Sequence, residues 1–272
     1  MPYFIKWATR IGGVLLLSMI INACTSTNAY LNNIPIEAGF VAIISPETFR
    51  SDIIHSNENL ATTNMILDRF VSSSPNLAKY MKYILINPQE NGILTQKEFA
   101  LFKSNSGDSV AYYGILAHIS GKEEFEIKNL QNLELHEIGY AKLIEDDYTY
   151  TLINRDMVVA WTDNHVLALI PATKDSRQHT YKFVKKYMAL ANDDAIISDK
   201  SFKPILGINS GLKLYVRNHF TNTNPELQKL YQKEQINTDL EGNIIVNFTE
   251  SSTVDHSTLQ LINQFSQELI CE

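Results

Sequence analysis

The 272-residue chain has only two cysteines, Cys24 and Cys271, so at most one disulfide is available to it. It has no excess of basic residues: 23 Lys and Arg stand against 30 Asp and Glu, a net charge of −7. That argues against nucleic acid, whose binding rests on Lys and Arg contacts to phosphate. It lacks any apolar run long enough to span a bilayer, which takes about 20 residues. There is no P-loop, no G-x-G-x-x-G, no EF-hand loop and no S-x-x-K pair. No internal repeat of fixed period is present. What the chain does have is ordinary globular composition, with 44% hydrophobic and 19% charged residues. A core of useful size follows from that.

The first stretch with a specific chemical meaning is Ile21-Asn22-Ala23-Cys24. It closes an apolar run from Ile11 to Ile21, preceded by Lys6 and Arg10. A positive start, an apolar middle and a small residue before the cut form a secretory signal peptide. A cysteine just after Ala23 resembles the lipobox of bacterial lipoproteins, where the thiol is acylated and becomes the new N-terminus. The competing readings are an ordinary signal peptide with a chance cysteine, or an uncleaved anchor. Gly12-Gly13 and the short run oppose the anchor. Several acyl chains on Cys24 would hold the body durably at a membrane, where one chain is marginal. Removing Lys6 and Arg10 leaves 21 basic against 30 acidic residues, or −9. With Cys24 lipidated, Cys271 has no partner within the chain and reads as apolar filler or an intermolecular thiol.

The expected organisation is a cleaved signal peptide over 1–23, a polar lipidated tether over 24–33 and an α+β domain over 34–272. A boundary between two sub-lobes is expected near 171–210. Gly39 to Ser45 reads as a buried strand closed by Pro46, with a short helix near Glu47 to Ile54. Leu60 to Ile86 reads as helix, divided by Ser72-Ser73-Ser74-Pro75 and ended at Asn87-Pro88. Glu98 to Lys103 and Val110 to His118 form a hairpin around Asn105-Ser106-Gly107-Asp108. Ser120 to Leu130 is a helix with a Ser N-cap and Glu123 and Glu124 in its first turn. Glu137 to Glu145, Tyr148 to Ile153, Met157 to Thr162 and Val166 to Ile170 form a meander. The connections are too short for parallel crossovers, so these strands are antiparallel. Asp175 to Asn192 and Ser198 to Leu206 read as helices, Gly211 to Val216 as a strand and Pro225 to Lys233 as a helix. Asn243 to Thr249 is a strand and Leu259 to Ile270 a closing helix. The fold class is α+β: antiparallel sheet, in a meander and hairpins, with helices packed mainly on one face.

The search for catalytic or metal chemistry returns little. His136-Glu137 begins like a zinc-protease helix, but Tyr140 stands where the second His is needed. Ser210 within Gly207 to Gly211 is one place late for a nucleophile elbow. Thr162-Asp163-Asn164 reads as a hairpin turn. No metal ligands, catalytic group or cofactor is assigned. The aromatics of the sheet offer one binding prospect. Tyr148 and Tyr150 alternate onto one face, and with Trp161 they would contact a sugar or apolar peptide if their face is open. If helices cover it, they are core.

Three stretches carry a family resemblance. The first is Tyr30-Leu31-Asn32-Asn33-Ile34-Pro35-Ile36-Glu37-Ala38 with the strand Val41 to Ile44. The second is Asn87-Pro88-Gln89-Glu90-Asn91-Gly92-Ile93 leading into Phe99 to Phe102. The third is Asp194-Ala195-Ile196-Ile197-Ser198-Asp199-Lys200-Ser201-Phe202 leading to Leu214 to Val216. In order and spacing the chain resembles envelope lipoproteins of the domain-of-unknown-function family 4836. The resemblance implies α+β architecture and the envelope, and brings no catalytic residues. The expected function is therefore a membrane-anchored, periplasm-facing lipoprotein that binds an envelope protein or a glycan without catalysis. The alternative is an envelope hydrolase that brings His118, His136 or His165 to a Ser, Asp or Glu inside a pocket.

Overall fold

The computed structural model describes residues 28–45, 79–81, 83–84, 87–105, 110–153, 157–172, 174–207, 212–217 and 244–248. By backbone contacts the chain divides into Met1–Tyr30 and Leu31–Glu272, and the fold below is that of the second unit. Cys24, Cys271, the helices expected at 47–54, 225–233 and 259–270, and most of the helix expected at 60–86 lie outside the described residues.

Nine strands form one sheet. In chain order they are β1 (Ala38–Ile44), β2 (Phe99–Asn105), β3 (Ala111–His118), β4 (Tyr140–Ile144), β5 (Thr149–Ile153), β6 (Met157–Trp161), β7 (His165–Pro171), β8 (Leu212–Val216) and β9 (Ile244–Phe248). In space the order is β4-β5-β6-β7-β3-β2-β1-β8-β9, and every neighbouring pair is antiparallel. The α+β class is thus observed. The segment 171–210, where a boundary between sub-lobes is expected, joins β7 to β8 within this one sheet.

Four α-helices accompany the sheet among the described residues: α1 (Lys122–Leu135), α2 (Lys174–Arg177), α3 (Thr180–Met188) and α4 (Lys203–Leu206). The strand register fixes which face each one meets, because directly opposed residues share a face. Trp161 opposes Val166, and Val166 opposes Ala117. Two steps along β3, Ile115 opposes Leu101. Phe102, next to Leu101, therefore lies on the other face, with Gly114, Val41 and Tyr215.

The Trp161 face carries α1. Its Phe125 ring meets Trp161 edge-on with centroids 5.6 Å apart. Phe125, Asn129 and Leu133 recur every four residues and are the buried stripe of the helix. Tyr80, Met81, Ile138, Ile153, Met157, Val159 and Val166 complete this core. The Phe102 face carries α3, where Phe102 meets Tyr187 at 6.2 Å and Tyr112 meets Phe183 at 4.8 Å. Further along the same face, Phe202 packs against Tyr215 at 5.4 Å. The expectation of helices mainly on one face is corrected: α1 and α3 cover opposite faces. The reason is visible in β6, where Met157 to Trp161 are all buried. A strand that is apolar at every position needs cover on both sides.

Local details follow from individual residues. Gly114 is required by packing, since a Cβ there would sit 2.0 Å from the Phe102 ring. Gly92 has φ 74, closes the 3-10 turn Gln89–Asn91, and donates its N–H to the Gln89 carbonyl. That turn is the one expected at Glu90-Asn91-Gly92. The α1 N-cap is Gly121 rather than Ser120, and the helix runs to Leu135 rather than Leu130. His136 and Glu137, the second expected to open a strand, form the turn after α1, with Glu137 at φ 54. The helix expected over 175–192 is two helices, α2 and α3, parted at Gln178 and His179. The segment expected to be helical over 198–206 holds the end of a 3-10 turn (Ile196–Ser198) and the four residues of α4.

Candidate functional site

The three aromatics offered as ligand contacts if their face were open are core residues. Trp161 is fully buried, Tyr150 is 2% exposed and Tyr148 is 8% exposed. Nor do they form one platform. Tyr150 opposes Ala160, so it lies on the face opposite Trp161. Tyr148 packs on Tyr150 with ring centroids 6.0 Å apart. Burial raises the Tyr148 hydroxyl above its usual range, helped by the nearby Glu145 carboxylate. The open-face reading of these residues is therefore corrected, since helices and neighbouring strands close both sides.

The three histidines named for the hydrolase alternative fall at two places. His136 follows α1 and its ring lies 5.7 Å from that of Tyr83. His118 and His165 are directly opposed on β3 and β7. The adjacent pair, Ile119 and Asn164, is joined by an N–H to carbonyl bond of 3.0 Å. Bonded and non-bonded pairs alternate along an antiparallel ladder, so the two histidines occupy a non-bonded pair, where side chains approach most closely. Burial lowers the His165 pKa to about 4, and the facing His118 adds to the shift. Burial also lowers His118, with Lys97 helping and Glu98 opposing. Both rings are thus held towards the neutral form. The Nδ1 of His165 lies 2.9 Å from the Thr162 hydroxyl, which also receives the backbone N–H of His165 at 3.3 Å. This is the chemistry of a hairpin turn that clasps β6 to β7, as Thr162-Asp163-Asn164 suggested.

Two polar nodes tie the fold where sequence reading had no signal. Arg217 donates from Nε to the Ala38 carbonyl at 3.2 Å, and from its guanidinium to the Ile36 carbonyl and the Asp199 carboxylate. Nearby, Ile36 N–H meets the Asp194 carbonyl at 2.7 Å and Ile196 N–H meets the Ile34 carbonyl at 2.8 Å. The first and third resembling stretches therefore lie side by side, although about 160 residues separate them in the chain. The second node is the ion pair of Lys213 with Glu98 at 2.8 Å, in which the Lys213 side chain is only 6% exposed. Among the described residues, no group of three or more His, Cys, Asp or Glu could hold a metal ion, and no helix is long and apolar enough to cross a membrane.

The exposed large hydrophobics among the described residues lie mostly on β4 and α1. β4 is the last strand of the sheet, and Ala141 to Ile144 are exposed. Ile144 is 71% exposed and Leu143 38%. Helix α1 runs beside it, tied by Lys142 to Glu126 and by the Tyr140 hydroxyl to Glu134 at 3.1 Å. Ile127 and Leu135 of α1 are also exposed. These four are among the five large hydrophobics exposed in the described residues, the fifth being Tyr181.

The paired stretches and the sheet they position meet a family model described as domain of unknown function (DUF4836), which matches residues 30–254. The chain belongs to the DUF4836 family. The match spans all nine strands of the sheet. No curated protein matches the sequence. A solved structure, that of TP0453 in its crystal form I, aligns over 86% of this chain and 96% of its own at 10% identity, with a TM-score of 0.33.

Proposed function

We propose that this DUF4836 protein is a bacterial lipoprotein held at the membrane through acyl chains on Cys24, facing the periplasm, and that its folded body serves as a non-catalytic binding module for an envelope protein. The observation that carries the reading is the order basic start, apolar run, Ile21-Asn22-Ala23-Cys24. Placement at a membrane then needs no spanning helix, because several acyl chains suffice. The fold supports a protein partner over a glycan. Tyr148, Tyr150 and Trp161 are buried in the sheet's two cores, while four of the five exposed large hydrophobics among the described residues are aliphatic side chains of α1 and β4. Exposed aliphatic side chains suit another polypeptide better than a sugar ring, which is recognised by open aromatic faces.

The test is expression of the full chain in a bacterial host with a labelled fatty acid. Wild-type protein should carry label and sediment with membranes. Cys24→Ala should lose both. Continued acylation of Cys24→Ala would overturn the anchor. Crosslinking in intact cells, followed by mass spectrometry, then reads the partner. Recovery of glycan alone would overturn the protein-binding reading.

A further inference from the structure

The β4 edge has a hydrogen-bonding pattern that can be read residue by residue. Glu145 donates its N–H to the Tyr148 carbonyl at 2.9 Å, so these two are a bonded pair. Bonded pairs recur every second residue, which makes Leu143–Tyr150 and Ala141–Leu152 the other two. The peptide groups of Ala141 and Leu143 therefore face β5. Those of Tyr140, Lys142 and Ile144 face away from the sheet. No described residue pairs with them, since β4 ends the strand order. An edge of this kind is a template for a further strand.

We infer that the strand completing this edge is β4 of a second copy of the chain, added antiparallel about a two-fold axis at Lys142. This register sets the outward groups against each other without remainder. Tyr140 pairs with Ile144 of the second copy, Lys142 with Lys142, and Ile144 with Tyr140. The side chains agree with the backbone. Tyr140 and Ile144 share one face of β4, and an aromatic opposite a β-branched residue is a favourable cross-strand pair. It covers Ile144, the most exposed large hydrophobic among the described residues. On the other face Ala141 meets Leu143, a small residue against a large one, twice.

Charge decides between a second copy and an unrelated strand. The one charged residue of β4, Lys142, would face its own image, and a lysine at a sheet edge normally discourages pairing. Here each Lys142 is already bound to Glu126 of its own chain. Two such pairs meeting across a two-fold axis bring together two cations and two anions, so the interface is neutral and self-complementary, as an isologous contact requires. The resulting sheet would run continuously through both copies.

Sedimentation of the full chain over a concentration series tests this. In detergent, which disperses the acyl chains, wild-type protein should pass from monomer to dimer, with no larger species, because a two-fold contact closes. Ile144→Lys places a cation opposite Tyr140 and should weaken association at least tenfold. Ile144→Pro removes an outward N–H while leaving the β5 ladder intact, and should weaken it similarly. Lys142→Cys should form a disulfide between the introduced thiols of two copies, identified by peptide mass spectrometry against the native cysteines. A wild-type chain that stays monomeric throughout overturns the inference. So does dimerisation unchanged in both Ile144 variants, whose folding is checked independently by circular dichroism. Loss of acylation in Cys24→Ala leaves this outcome unaffected, so the two proposals fail separately.

Discussion

β6 and β4 are both five-residue strands of one sheet, and they differ in almost everything that matters. Met157 to Trp161 are buried at every position, whereas Ala141 to Ile144 are exposed. β6 has a partner strand on each side and a helix on each face. Among the described residues, β4 has one partner strand, a helix tied to it by two surface contacts, and an outer row of peptide groups facing away from the sheet. The two strands do not differ in this way because of propensity. Tyr, Leu and Ile of β4 are as compatible with strand as the Val and Trp of β6. The difference is position, and it separates the part of the molecule that supplies stability from the part available for contact.

The comparison breaks most sharply at Trp161. Trp161→Ala should cost about 3–5 kcal/mol, the usual range for emptying a buried aromatic site. Chemical denaturation reads it as a lowered midpoint. Trp161→Phe should cost clearly less than its volume change suggests, because the buried indole N–H has no hydrogen-bond partner and its removal relieves that penalty. A Trp161→Phe loss as large as that of Trp161→Ala would show that the indole edge is satisfied after all.

Gly114→Ala should come next. The new Cβ meets the Phe102 ring from a neighbouring strand at 2.0 Å, so either the ring or the backbone must move. Overpacking of this sort costs about 1–3 kcal/mol. Phe102→Leu in the same chain should recover part of the loss, and a purely additive double variant would contradict the contact.

Acid should act through the β3–β7 histidine pair. The folded pKa of His165, about 4, lies below its ordinary 6.5. Between those values the unfolded chain binds more protons than the folded one, so stability falls as pH drops through this window and is intact above it. The loss attributable to His165 is on the order of 3 kcal/mol at full protonation. Denaturation midpoints of His165→Gln measured from pH 7 to pH 4 should decline less steeply than those of wild type. Equal slopes would remove His165 from the account.

Ile144→Ala, at the opposite extreme, should change the stability of dilute protein by no more than about 0.5 kcal/mol. A loss approaching that of Trp161→Ala would mean that the edge is covered by part of the chain.

Much of the sheet was legible in advance because its strands are short, alternating and closely spaced. The hairpin β2–β3 and the meander from β4 to β7 follow from that spacing alone. Placement of β1 between β2 and β8 was not legible, since it depends on pairing between residues far apart in sequence. The helix errors have local causes. Helix α1 continues past Leu130 through Asn132, a poor helix former, because tertiary bonds hold the region: Asn132 donates to Asn91, and Asn129 accepts from the Tyr80 hydroxyl. Helices α2 and α3 part because the Ser176 carbonyl is drawn to the Tyr112 hydroxyl at 2.6 Å and to the Thr180 hydroxyl at 3.1 Å. Burial raises the Tyr112 pKa to about 12, which keeps that donor protonated. The fate of the aromatics was undecidable from alternation, which says which residues share a face and nothing about what covers it. The β4 edge was hidden for the same reason, as a strand's place in the order is a property of the whole sheet.

Residue-resolved amide hydrogen exchange at low protein concentration tests the contrast between β6 and β4 most directly. The account predicts slow exchange for Val158, Val159 and Ala160, slow exchange for Ala141 and Leu143, and fast exchange for the outward amides of Tyr140, Lys142 and Ile144, which become protected as concentration rises. Protection of Tyr140, Lys142 and Ile144 at every concentration, equal to that of Ala141 and Leu143, would contradict it.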